Sequence, residues 1–179
     1  MKTKTIFALI TLVISAFCVS AVAAGDGFES VRCGPDIVKA LIGRKGSNEP
    51  AVKIEERHKD IGLKDLGADI ISEKEGLNLI FWQICDEEYA TLEQNDVVKD
   101  AIKFPKHSKE TPQFDGSCQV NGKDVPWYAV GVLKNEEGAK MLQAVVAWKI
   151  DQKQKKFVPL QVEGLRCSRD GIVTADGGK

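Results

Sequence analysis

The sequence predicts an α+β fold that is mostly β: a curved antiparallel sheet of consecutive hairpins with one N-terminal helix packed on it. Barrel and sandwich closure both stay open. Three observations lead there. A single helix-like segment near the N-terminus precedes about eight strand-like stretches, without the strand and helix alternation of parallel folds. Turn residues recur between apolar segments, with Asn121-Gly122 the strongest such signal. No repeat recurs at fixed period, which disfavours propellers and solenoids.

The chain of 179 residues opens with Lys2 and Lys4, an apolar run over residues 6–22 and small residues around 21–25. A short basic end, an apolar core and small residues before a cut site are the pattern of a secretory signal peptide. Ala21 with Ala23, and Val22 with Ala24, both suit signal peptidase, so cleavage is expected after Ala24. Phe17 before Cys18 lacks the small side chain that lipidation requires, so no stable membrane anchor is expected. The expected product is residues 25–179, a single domain acting outside the cytoplasm, in the periplasm of a Gram-negative cell.

Residues 34–43 read as a short helix. Pro35 suits the first helical position, and Asp36 and Arg44 complement the two ends of the helix dipole. Ile37 with Leu41 and Val38 with Ile42 make an apolar face. Residues 51–58 alternate Val52 and Ile54 against Lys53 and Glu55, which predicts a half-exposed strand. Gly62 and Gly67 suggest a broken turn or packed loop over 61–71. Residues 77–85 are apolar on both parities and predict a central strand covered on both faces.

Residues 88–93 and 97–104 predict a hairpin about Gln94-Asn95-Asp96, preferred to a helix over 96–103 that Pro105 would stop after barely two turns. A polar loop follows over 106–113. Asn121-Gly122 is expected to join a strand over 117–120 to a long apolar strand over 125–133. A further strand is predicted over 143–150, and a return strand over 157–162 whose Pro159 requires an edge position or an interruption. The tail from Ala175 is expected to be loose.

Loss of the leader moves the formal net charge from −1 to −3, which argues against a general nucleic-acid binder. Cys33, Cys85, Cys118 and Cys167 form an even set in an exported chain, and their wide spacing is unlike the close pairs of structural zinc sites. Two disulfides are expected, with all three pairings open.

The search for chemistry yields no catalytic residue, no cofactor-binding residue and no metal ligand. Asp115-Gly116-Ser117-Cys118 lacks the glycine frame of a nucleophile elbow. His58 and His107, the only histidines, have no carboxylate or thiol at ligand spacing. Asp86-Glu87-Glu88 lacks the alternating oxygens and glycine of a calcium loop. Candidate partner contacts are Lys106, His107 and Lys109 in one loop and Lys153, Lys155 and Lys156 in another. The adjacent aromatics Trp127 and Tyr128 are further candidate partner contacts and should face opposite ways, one in the core and one exposed.

These observations lead to the expectation of a secreted, non-catalytic binding or inhibitory protein whose partner is another extracytoplasmic protein or a polysaccharide. The alternative is a small exported hydrolase acting on cell-wall or peptide substrates, its carboxylates gathered from distant strands. A structural component of the envelope is the third option.

Overall fold

The structure, a computed structural model, describes residues 27–46 and 49–172; the leader, its cleavage point and the C-terminal tail lie outside them. Mostly antiparallel β structure with few helical residues agrees with the expected class. Two short helices come first, α1 (Ile37–Leu41) and α2 (Ala51–Arg57). Four strands then form a meander: β1 (Lys64–Ser72), β2 (Leu77–Ile84), β3 (Glu87–Gln94) and β4 (Val97–Phe104).

A second sheet takes β5 (Gln113–Gly116), β6 (Cys118–Val120), β7 (Lys123–Asp124), β8 (Ala129–Leu133), β9 (Met141–Asp151), β10 (Lys156–Pro159) and β11 (Leu165–Ser168). Its order is β5-β8-β9-β11-β6-β7, with β10 paired to the far half of β9.

Residues 51–57 are helical, not the expected strand. Helical spacing buries Ile54 and His58, four apart, and leaves Val52 exposed, so the short alternation was incidental to a segment rich in Lys, Glu and Arg. The segment expected as a broken turn carries β1. Gly62, at φ 60°, ends a 3-10 turn before the strand, and Gly67, at φ 124°, stands at a register shift within it. Both glycines serve strand geometry, as a cap and a bulge.

The turns follow the sequence closely. Cys85-Asp86, Asn95-Asp96 and Asn121-Gly122 all have positive φ at both central positions, as a two-residue hairpin of the I′ type demands. The Asn121-Gly122 hairpin is short, however. Pro126 has no N–H to continue a ladder, so the chain leaves after β7, and β8 starts at Ala129 between β5 and β9. Pro159 ends β10, which pairs with β9 alone in its ladder.

Three apolar clusters define the layers. Phe28, Val31, Leu41, Ile54 and Ile61 pack with Trp82, Ile84 and Tyr89 on one face of the first sheet. Between the sheets lie Leu77, Leu79, Phe81, Leu92 and Phe104 against Val130, Val132, Ile150 and Phe157. Phe114, Leu133, Leu142, Leu165 and the Cys118 and Cys167 sulfurs fill the far side of the second sheet. β2 and β8 contribute to two clusters each, which explains their continuous apolar runs. Removing each large side chain from water stabilises the fold by roughly 1.5–3 kcal/mol.

The two sheets curl into a half-barrel whose seams are closed by side chains. Beside β4 runs β10, where the Phe157 N–H donates to Asp100 Oδ2 at 2.8 Å. At the start of β4, residues 43–46 cover the same edge through hydrogen bonds between Gly43 and Val98, Val98 and Arg44, and Gly46 and Asp96. The opposite seam brings β1 to β5, where Tyr128 meets Asp69 and Asp115.

Disulfides join Cys33 to Cys85 and Cys118 to Cys167, selecting one of the three open pairings. The first ties the segment before α1 to the β2–β3 turn; the second links register partners on β6 and β11. Such bonds suit an oxidising environment outside the cytoplasm. Among the described residues, no helix is long and apolar enough to cross a membrane.

Candidate functional site

The loop over residues 105–112 leaves β4 at the end where β2 turns into β3, because Phe104 stands opposite Glu88. Ser108 organises it. Its Oγ accepts from the Glu110 and Thr111 N–H groups, each at 3.1 Å, and its hydroxyl donates to Glu110 Oε2 at 2.9 Å. The Ser108 N–H donates to the Thr111 carbonyl at 3.0 Å, closing the turn. This side-chain mimicry of a backbone turn is the reason serine suits the position.

The neighbouring loop braces it from outside. Asn135 donates from its backbone N–H to the Glu110 carbonyl and from Nδ2 to the Lys109 carbonyl, both at 2.8 Å. At the other end His107 Nδ1 lies 2.8 Å from Glu88 Oε2, with both side chains largely covered. The hydrogen bond to Glu88 raises the His107 pKa above its ordinary value, against the opposing effect of burial. Lys106 and Lys109 remain exposed on this fixed frame.

The second basic group lies at the opposite end of the first sheet. Lys155 donates to Glu75 and to the Gln152 carbonyl, which ties the β9–β10 turn to the β1–β2 turn. The Asn95 N–H donates to the Gly76 carbonyl at 3.1 Å, placing the β3–β4 turn at the same end. Lys153 and Lys156 are exposed there. The two predicted contact loops are therefore separate surfaces.

Trp127 and Tyr128 do face opposite ways, but both are half-buried: Trp127 packs on the far side of the second sheet and Tyr128 between the sheets. Tyr128 carries more. Its hydroxyl contacts Asp69 of β1 and lies 2.9 Å from Asp115 Oδ1 of β5. Asp69 stands opposite Leu79 and Asp115 opposite Val130, both between the sheets, so all three polar groups share that face. Burial, with Asp69 nearby, pushes the Asp115 carboxyl up to about 6 even though Tyr128 pulls it down. The Tyr128 phenol is held far above its ordinary range, first by burial and then by Asp69.

No family model, curated protein or solved structure matches this chain.

A third polar arrangement is buried under the N-terminal helices. Arg44 pairs with Glu93, and the guanidinium carbon sits 4.3 Å from the Phe28 ring centre and 5.6 Å from that of Trp82. Burial raises the Glu93 pKa and Arg44 opposes that rise. The His58 ring lies 5.8 Å from that of Phe28 in the same region, tilted against it, as the residue ending α2.

An open cleft of about 740 Å³ lies over Gly138–Met141 and Ser168–Asp170. The Arg169 guanidinium in its wall donates to the Ala139 and Glu136 carbonyls and to Asn135 Oδ1, which spends it on fixing the loop. Sequence reasoning missed Asp69, Asp115 and Arg44 as polar anchors. Arg44 directly follows an apolar helix, and the carboxylates lie 46 positions apart, with no local pattern linking them.

Proposed function

We propose that this chain is an exported, non-catalytic binding domain that docks an acidic extracytoplasmic protein through the loop over residues 105–112. The observation that carries the reading is the bracing of Lys106 and Lys109. A loop already held by Ser108, Asn135 and the His107–Glu88 pair loses little conformational freedom on binding, so more of the contact energy appears as affinity. Two exposed lysines on a domain of slightly negative net charge favour a local acidic patch over a long polyanion, which the rest of the surface would repel. Glu110, directly after Lys109, accepts from the Ser108 hydroxyl, so its exposed carboxylate is engaged within the loop.

Export rests on the leader pattern over residues 1–24 and agrees with the two disulfides. The periplasm is the compartment we infer. Affinity capture from periplasmic fluid, with the oxidised mature domain as bait, tests the reading. A saturable acidic protein should be retained by the native bait and lost from a Lys106→Ala, Lys109→Ala bait. Partners whose affinity is unchanged by alanine scanning of this loop contradict the placement, and retention of polysaccharide alone contradicts the partner class.

One observation favours the second reading, a small exported hydrolase: Asp69 and Asp115 come from distant strands to a single hydroxyl. A general acid and a general base are often such carboxylates in unlike environments. Turnover of a cell-wall or peptide substrate that Asp115→Asn abolishes, with the fold intact, would replace the binding reading. Stable self-association of the pure domain would point instead to an envelope component.

A further inference from the structure

We propose that Asp69, Tyr128 and Asp115 form a proton-operated latch that closes the seam between β1 and β5 in mildly acidic surroundings and loosens it near neutrality. The phenol has one proton and meets two carboxylate groups, so with both acids ionised it satisfies only one of them. A second proton completes the cluster: Tyr128 donates to Asp69, and a protonated Asp115 donates to the phenol oxygen. When that proton leaves to water, Asp115 is a carboxylate facing the phenol's lone pairs and a second carboxylate.

The surroundings give the ionised state little relief. Leu79 faces the cluster from β2 and Val130 from β8, with Trp148 opposite Val130 on β9. Gln113, two residues before Asp115 and on its face of β5, is neutral and buried. Lys149 stands opposite Ala129, whose side chain belongs to the far face of the second sheet. Arg169 is held by the 135–139 loop, and the neighbouring Gly171 approaches the Asp115 backbone without adding charge. Asp65, further back on β1, accepts from the Gly67 N–H.

The position makes the cluster a latch. β1 and β5 belong to different sheets, and Tyr128 enters β8, so one hydroxyl joins both sheets. The Asp115 carboxyl, ordinarily at 3.8, rises to about 6. Stability from the protonated cluster is therefore full below pH 4 and is lost as pH rises through about 6. That shift corresponds to roughly a hundredfold in the equilibrium between the closed seam and an opened one in which Asp115 titrates normally.

Carboxyl carbon NMR of the intact oxidised protein, read with amide hydrogen exchange in β1 and β5, tests the latch. One of the two aspartates should titrate near pH 6. Exchange, corrected for its intrinsic pH dependence, should accelerate at least tenfold between pH 5 and pH 7.5 in the native chain and stay level in Asp115→Asn. Tyr128→Phe serves where that variant fails to fold: it should exchange rapidly at both pH values. Titration of both carboxyl groups below about pH 4.5, or a native acceleration that persists in Asp115→Asn or in Tyr128→Phe, overturns the proposal.

Discussion

Arg44 shows how much one side chain can hold. Its guanidinium is buried with Glu93 and lies against Phe28 and Trp82, joining the helical layer to the first sheet. Arg44→Ala leaves a carboxylate in an apolar site, so unfolding in denaturant should show a loss of about 3–5 kcal/mol. Replacing both partners, Arg44→Met with Glu93→Leu, should cost much less, because the stranded charge goes with the pair. His107 is a gentler case. Its pKa is raised by Glu88, so its contribution is complete below the ordinary value near 6.5 and fades as pH rises through the raised one. Ring titration by NMR should place His107 lower in Glu88→Gln than in the native chain. An unchanged titration would remove Glu88 as the cause.

Between elements, close approach matters as much as apolar content. Gly131 in β8 lies so near the Val146 carbonyl of β9 and the Phe114 ring that an added Cβ has no room. Gly131→Ala should therefore destabilise by about 1–3 kcal/mol, read from the denaturant midpoint at constant slope. The same pair of strands shows what a sequence conceals. Val132 stands opposite Val146 and Leu133 opposite Ala144, so Val145 is the extra residue of a bulge and is exposed. Alternation in residues 143–150 predicted a strand but could not reveal this change of face. Turns were more legible, since Asn95-Asp96 and Asn121-Gly122 encode their positive φ in residue type. Cys85 takes a similar conformation without such a residue, in a turn held by its bond to Cys33. Helix α2 resembles a strand in sequence because seven residues fit a period of two nearly as well as 3.6.

At the scale of the whole molecule, the half-barrel depends on long-range closure. The disulfides span 52 and 49 residues, and in the chain-entropy account each restricts the unfolded chain by about 4 kcal/mol. Removing either by paired Cys→Ala substitution should lower stability by a comparable amount, or less where the unfolded chain keeps structure. Their pairing was invisible in the spacing, as was the meeting of Asp69, Asp115 and Tyr128, because both depend on which sheet edges come together. Mostly β content and an even cysteine set were visible because they follow from composition and local pattern. The binding loop lay between: its polar residues and lysines were legible, whereas the support from Asn135 and Glu88 arises only in the fold. Docking through the 105–112 loop is tested most directly by the dissociation constant of the captured acidic protein, determined by titration calorimetry against two charge-reversed domains. Lys106→Glu with Lys109→Glu should weaken binding at least tenfold, while Lys153→Glu with Lys156→Glu leaves it near the native value; the reverse order, or no change in either, contradicts docking through this loop.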